Sequence, residues 1–354
     1  MKIFVTLPGQ ETNIGDVAHR KILLQWLKGL GELNLYIGSL SQSFVDGLEL
    51  SGDYKLYRSL NAWLFQIVKS KKNNVTFLFN PGELRLGWQR VLGELLLLPF
   101  LGMVKLKKGN IIRVGVALNS PNKYTRYIMT KVIKFSNKVY WRTIESQKYF
   151  GFGEVIPDLA FYNYSNSEIP KEKKYLVISM RFNRNEPSLS WYEAIEKYAF
   201  EKKLIPICVT QVRLDDEHNK KIAKKLNCNH LSWEENVSHL QQEKKLIELY
   251  RMSAMVISDR LHVLILGCNE GANPVELLTE NSSKVKDHFS VVGIYDNSLL
   301  IANKSETEIN EFLIKQDKLV SNRKKAFLDA KELLSSIKLE ITPNSKSAYP
   351  VEVY

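Results

Sequence analysis

Along the chain, short and nearly unbroken apolar runs recur between stretches in which apolar residues return every three or four positions. The first kind predicts strands buried on both faces of a sheet, and the second predicts helices packed against it. Strands are expected at residues 3–7, 35–38, 75–79, 111–118 and 139–142, then at 175–180, 205–210, 256–258 and 274–278. Helices are expected between the first strand and residue 27, near 60–68, 92–104 and 127–133, and from 146 onward. In the second half they fall at 190–200, 220–226, 240–252, after 260, at 306–313 and at 324–339. Strand–helix alternation marks a parallel sheet, and it runs twice, interrupted by the polar stretch 163–174. The expectation is an α/β protein of two facing Rossmann-like domains, residues 1–164 and 165–341, with a ligand cleft between them. Residues 342–354 lack periodicity and read as a disordered tail.

At 354 residues, 44% of them hydrophobic, the chain has material for two such cores. Its net charge of +12 points to acidic partners: nucleic acid, an anionic membrane surface or phosphorylated small molecules. The lysines are scattered and no nucleic-acid-binding motif appears, so nucleic acid is not expected. Cys208, Cys228 and Cys268 are widely spaced, with no metal-ligand pattern, which suits a reducing cytosol. The start has no secretory-signal layout, and no apolar stretch reaches the roughly 18 residues of a spanning helix. The cytoplasm is therefore the expected location. Residues 92–104 lead into Lys105, Lys107 and Lys108. That run reads either as a core helix or as an interfacial segment, a peripheral contact with an anionic membrane at its inner face.

Candidate chemistry gathers where strands end. The stretch 256–267 reads as strand, polar break and helix, with Ser258 or Asp259 as cap and Arg260 and His262 in the break. A helix N-terminus beside an arginine suits an anion, and His262 can move a proton near neutral pH. The plainer reading is a turn in which Arg260 pairs with Asp259 or another carboxylate. After the first strand, Asn13, Gly15 and Asp16 form a loop that is either a ligand contact or merely cap and turn. Asn80-Pro81-Gly82-Glu83 forms another such loop, Arg181 ends the first strand of the second half, and Lys284 follows strand 274–278. Two convergent arginines hold a carboxylate and a phosphate well. His218, His230 and His239 lie in polar surroundings and read as surface residues, and no metal-binding cluster is apparent.

Taken in order, these pieces resemble the polysaccharide pyruvyltransferase family over most of the chain. The resemblance rests on Asn13-Ile14-Gly15-Asp16, on Pro157-Asp158-Leu159-Ala160-Phe161, on a strand ending in Arg181, and above all on Arg260-Leu261-His262 followed by Gly271-Ala272-Asn273-Pro274. Two segments depart from the family pattern. Asn80-Pro81-Gly82-Glu83 replaces a glycine-rich turn, and Arg142-Thr143-Ile144-Glu145-Ser146 lacks the aspartate of Arg-Asp-x-x-Ser. The resemblance implies a GT-B-like fold and transfer of a pyruvyl group from phosphoenolpyruvate to a sugar, forming a ketal on a cell-surface polysaccharide or its lipid-linked oligosaccharide precursor. In that scheme Arg260, Arg181 and Lys284 meet the donor, as does the backbone N–H of Leu261. His262 is the acid, Asp16 orients or deprotonates the acceptor beside Asn13 and Gly15, and no metal or cofactor is needed. The competing expectation is a two-Rossmann-domain glycosyltransferase using a nucleotide sugar, with Glu276 or Glu280 as its ribose ligand.

Overall fold

The computed structural model describes residues 1–164, 170 and 172–341. The expected tail at 342–354 and part of the expected linker lie outside the described residues. The first half begins β1 (Lys2–Thr6), α1 (Ile14–Leu27), β2 (Glu32–Tyr36), α2 (Gln42–Gly47), β3 (Tyr54–Tyr57), α3 (Leu60–Lys69) and β4 (Val75–Phe79). It continues through β5 (Gly82–Arg85), α4 (Trp88–Leu106), β6 (Asn110–Ser120), α5 (Lys123–Lys134), β7 (Lys138–Trp141), α6 (Ile144–Phe150) and β8 (Glu154–Val155). A 3-10 helix at Leu159–Asn163 follows.

The second half runs β9 (Tyr175–Ser179), α7 (Leu189–Lys202), β10 (Ile205–Val209), α8 (Asp216–Lys225), β11 (Asn229–Leu231), α9 (His239–Arg251) and β12 (Ser253–Ser258). It ends with α10 (Leu261–Asn269), β13 (Asn273–Leu278), α11 (Lys284–Ser290), β14 (Ser298–Leu300), α12 (Glu306–Asp317) and α13 (Val320–Ile341).

Eight strands form one sheet in the order β3-β2-β1-β4-β6-β7-β8, with β5 also pairing β6, and six form the other in the order β11-β10-β9-β12-β13-β14. The first strand of each half lies inside its sheet, so the strand order reverses beside it and leaves a crevice at the strands' carboxyl ends. Helices cover both faces, which is why β4 (VTFLF) is apolar and buried at every position. Local signals set the helix starts. Asn13 Oδ1 accepts from the Gly15 amide at 2.9 Å, and Ser238–Gln241 and Ser305–Glu308 form capping boxes. A single apolar cluster runs from Val5 and Ile22 through Phe161 to Val256, Leu264 and Leu334, so the two halves share a core beneath the cleft. The last helix returns to the first sheet, where Glu340 accepts from the Tyr140 hydroxyl at 2.8 Å.

Several expectations change. β2 stops at Tyr36, ahead of the expected Gly38. Asn80–Glu83 is not a simple loop, because Gly82 opens β5 against β6. Neither Ser258 nor Asp259 caps α10, whose N-cap is Arg260. The Ser258 hydroxyl instead donates to the Ser179 carbonyl, and Asp259 accepts from the Arg181 amide. His239 is not a surface residue: it is buried, with Nε2 2.5 Å from the Glu11 carbonyl and Nδ1 2.8 Å from the Ser43 hydroxyl. Cys208 and Cys228, 20 residues apart, meet as free thiols with their sulfurs 3.8 Å apart. Among the described residues no helix is long and apolar enough to cross a membrane.

Candidate active site

The carboxyl ends of both sheets open on one cavity of about 1170 Å³. Asn13 and Asp16 reach it from the loop and helix after β1, Glu83 from β5 and Arg142 from the end of β7. From the second sheet, Arg181 and Arg184 follow β9, Arg260 and His262 follow β12, and Lys284 follows β13. Six of the eight residues singled out from the sequence therefore line the cavity. Gly15 and Leu261 do not, although Leu261 is buried at the start of α10.

The cationic wall is held from behind. Asp215 grips Arg260 with both oxygens, at 2.7 Å to Nε and 2.6 Å to Nη2. The plain expectation that Arg260 pairs with a carboxylate thus holds, and a bidentate partner also fixes the direction of the guanidinium. Arg181 donates from Nε to the Asp259 carbonyl at 3.1 Å, while its amide donates to Asp259 Oδ1 at 2.9 Å. Burial and the neighbouring Arg260 lower the Arg181 pKa, and burial raises that of Asp259 against the pull of Arg181. Arg184 pairs with Glu280. Lys284 pairs with Glu83 across the cleft; burial lowers the Lys284 pKa while Glu83 opposes the shift. Burial works to raise Glu83, yet Lys284 holds it at about 2. No side chain caps α10, so its leading amides at Leu261 and His262 remain suited to an anion.

His262 sits in a cage. Its Nε2 lies 3.3 Å from His19 Nδ1 and 3.6 Å from Asp158 Oδ2. Arg20 Nη1 lies 2.6 Å from His19 Nε2. A guanidinium can only donate, so His19 Nε2 accepts and its Nδ1 carries the hydrogen. That assignment, drawn from the hydrogen-bond network, makes His262 Nε2 an acceptor when neutral and leaves its proton on Nδ1. When His262 is charged, Asp158 can take the added Nε2–H. Burial, reinforced by Arg20, pulls His19 well below the usual histidine range and keeps it neutral. Burial would raise Asp158, but Arg142 at 2.5 Å and His262 hold it well below the usual carboxylate range. His19, Asp158 and His262 are also a group whose donor atoms lie within 4.8 Å of one another, as a cation site would require. Guanidiniums already occupy two of those groups, which disfavours a further cation.

Asp16 accepts from the Gln10 amide at 2.7 Å and lies 3.3 Å from Arg20, leaving it at the cleft edge without being the helix cap. Gly15 is required not by its turn but by His262: a Cβ there would lie 2.5 Å from the imidazole Cβ and Nδ1. In the departed segment Thr143 is the N-cap of α6, accepting from the Ser146 amide at 3.3 Å, which is work the missing aspartate could do. Sequence reasoning passed over His19, Arg20, Asp158 and Asp215 as site residues. The signal for the first two was their spacing, three and four residues after Asp16 on one helix.

The family described as polysaccharide pyruvyl transferase matches residues 13–275. No curated protein matches the sequence. Among solved structures the chain is similar to a glycosyltransferase from Rickettsia africae, with 12% identity, 97% of this chain and 99% of that one covered, and a TM-score of 0.57. It is similar also to UDP-GlcNAc 2-epimerase from Neisseria meningitidis bound to UDP-GlcNAc, with 11% identity, 96% and 100% covered, and a TM-score of 0.55. Anabaena HepE in complex with UDP and glucose aligns at 12% identity over 96% and 98%, with a TM-score of 0.54. At such identities the likeness is one of fold, the GT-B-like pair of facing domains.

Proposed function

Because the chain belongs to the polysaccharide pyruvyl transferase family, we propose that it takes the pyruvyl group from phosphoenolpyruvate and closes it as a ketal on two hydroxyls of one sugar. The acceptor is a polysaccharide or its lipid-linked precursor. The observation that carries this reading is the shared cleft, in which Arg181, Arg260 and Lys284 converge on the side where His262 stands. Phosphoenolpyruvate has two anionic ends, and arginines already oriented by Asp215 and Asp259 suit them without reorganisation. The amides of Leu261 and His262 add to the same wall.

The chemistry begins with a proton delivered to the methylene carbon, which becomes methyl and leaves the central carbon electrophilic. One hydroxyl attacks that carbon, phosphate leaves, and the second hydroxyl closes the ring. Of the two hydroxyl protons, one replaces the proton spent on the methyl group and the other leaves with phosphate. His262 is the acid, and Nδ1 is the nitrogen that serves, since Nε2 is engaged by His19 and Asp158. Asp16, at the cleft edge on the opposite half with Asn13, orients an acceptor hydroxyl. The scheme runs without metal or organic cofactor, and phosphoenolpyruvate being a cytosolic metabolite, it belongs in the cytoplasm.

Glycosyl transfer shares the fold but loses its ribose ligands here. Glu276 is fully buried and accepts from Ser298 at 2.5 Å, and Glu280 is paired with Arg184. Incubation with phosphoenolpyruvate and a panel of glycans is expected to release phosphate only when an acceptor is present. Arg260→Ala and His262→Ala should each lower that rate by about 100-fold or more. Release of nucleotide from a sugar nucleotide, with none of phosphate from phosphoenolpyruvate, overturns the reading.

A further inference from the structure

In the helical layer outside the first sheet, α3 and α5 bury their apolar residues in the ordinary way, but the first half of α4 does not. α3, α4 and α5 lie side by side. α4 turns its only acid, Glu94, inward to Arg113, and leaves Trp88, Leu92, Leu95 and Leu96 facing solvent. An ordinary surface helix would place the leucines inward and the glutamate outward. The exposed stripe extends through Phe65 on α3 to Tyr124 and Tyr127 on α5.

Charge is concentrated on the same stretch. Residues 84–144 hold twelve Lys and Arg against one acid; Arg113 and Arg142 are buried in ion pairs and Lys138 pairs with Glu340, which leaves nine basic side chains toward this surface. Lysines sit over the exposed rings: Lys69 at 4.7 Å from Phe65, Lys123 at 5.1 Å from Tyr124 and Lys131 at 5.4 Å from Tyr127. Aromatic rings and long basic chains together are the composition of a protein surface at lipid headgroup depth. A second copy of the chain fits poorly, because a two-fold contact would bring two such basic faces together.

The cleft reaches this face. Leu60, Leu64, Leu97 and Phe100 from α3 and α4 line the same cavity as Arg260 and Lys284. Leu96 belongs to both, being in the cavity wall and 74% exposed, so the cleft has an apolar mouth on the exposed stripe.

We propose that the α3–α5 face docks on an anionic lipid membrane, with the apolar mouth of the cleft opening at the headgroup level. A lipid-borne acceptor then reaches the cationic wall without leaving the bilayer. Docking requires no spanning segment: the leucines and rings insert shallowly while the lysines meet anionic headgroups. The acceptor's role here rests on the pyruvyl-transfer reading, but the docking does not.

The full chain is tested by co-sedimentation with vesicles of phosphatidylglycerol mixed into phosphatidylcholine, against phosphatidylcholine alone. Binding is expected to the first, decreasing with added salt. Trp88 supplies an internal probe. It is 57% exposed while the other five tryptophans are buried, so anionic vesicles should shift the fluorescence to the blue. The Phe65→Glu, Leu92→Glu double variant should bind vesicles at least about 10-fold more weakly. It should keep the parent melting temperature and the rate on a water-soluble acceptor, and lose rate on a vesicle-borne one. No blue shift and no sedimentation of the parent overturn the proposal, as does a concentration-dependent dimer that the same substitutions dissolve. Vesicle binding without pyruvyl transfer would count against the enzymatic reading and leave docking standing.

Discussion

A methyl group added at Gly15 would lie 2.5 Å from two atoms of the His262 side chain, one of them Cβ, close to the backbone. Relieving that contact would shift His262 together with its backbone and disturb its placement against His19 at 3.3 Å and Asp158 at 3.6 Å. Gly15 has ordinary helical geometry in α1, so alanine costs the backbone nothing there and removes a helix-weakening glycine. Gly15→Ala is nevertheless expected to lower the melting temperature, because the His262 Cβ moves only with the α10 backbone, and also to slow phosphate release by about 100-fold, the scale set by misplacing a reacting group by about 1 Å. A variant of full activity would show that the imidazole is not the group whose position matters. The sequence pointed to this glycine for the wrong cause. A glycine in a loop suggests a turn, and nothing local reveals that an imidazole 247 residues later occupies the missing side chain's place. Arg260, His262 and Arg181 were legible because strand-end position is a local property. Asp215 and His19 were not, because each acts only through a residue from a distant segment.

Among the elements, β13 carries an unusual buried acid. Glu276 is fully buried in the second sheet, and burial, aided by Asp259, raises its pKa to about 8. In the unfolded chain it would titrate near 4.5. The folded state therefore binds the extra proton between those two values, and stability falls as pH rises through that window. At pH 7 the penalty is about 3 kcal/mol, disappearing below about pH 4.5. Glu276→Gln keeps an acceptor for Ser298 and abolishes the penalty. Its melting temperature should match the parent at pH 4.5 and exceed it increasingly up to pH 8. Equal curves throughout would mean that Glu276 is ionised in place. The long elements were readable from periodicity because their apolar positions face one core. The misses were β3, β5, β8, β11 and β14, short strands at or near sheet margins, where little burial leaves little pattern, together with the short helices α2 and α11. α4 was legible as a helix yet not as to its facing, since both of its sides are apolar and only the inward turn of Glu94 reveals which one meets water.

At the scale of the whole molecule, the halves are joined twice and differently. Below the cleft lies the shared apolar core, with Lys21 paired to Glu243 at 2.8 Å and the Asn269 amide donating to the Ala160 carbonyl at 2.8 Å. Across the cleft, the ion pair of Glu83 with Lys284 links β5 to α11. Glu83 stands in the segment that departs from the family's glycine-rich turn, and on the proposed pyruvyl-transfer reading its carboxylate competes with the donor's anionic end for Lys284. Glu83→Gln should therefore lower the KM for phosphoenolpyruvate by about 10-fold, the equivalent of about 1.4 kcal/mol, with little change in kcat. The pH dependence carries a sign. Without its counter-ion, Lys284, which burial already disfavours as a cation, loses its proton more readily, so the gain should be large near pH 6 and shrink as pH rises. The parent should show no matching gain at acid pH, because its Glu83 stays ionised until about pH 2. A higher KM in Glu83→Gln at every pH would reverse the assignment, making the pair a strut that holds the cleft in shape and not a competitor of the donor.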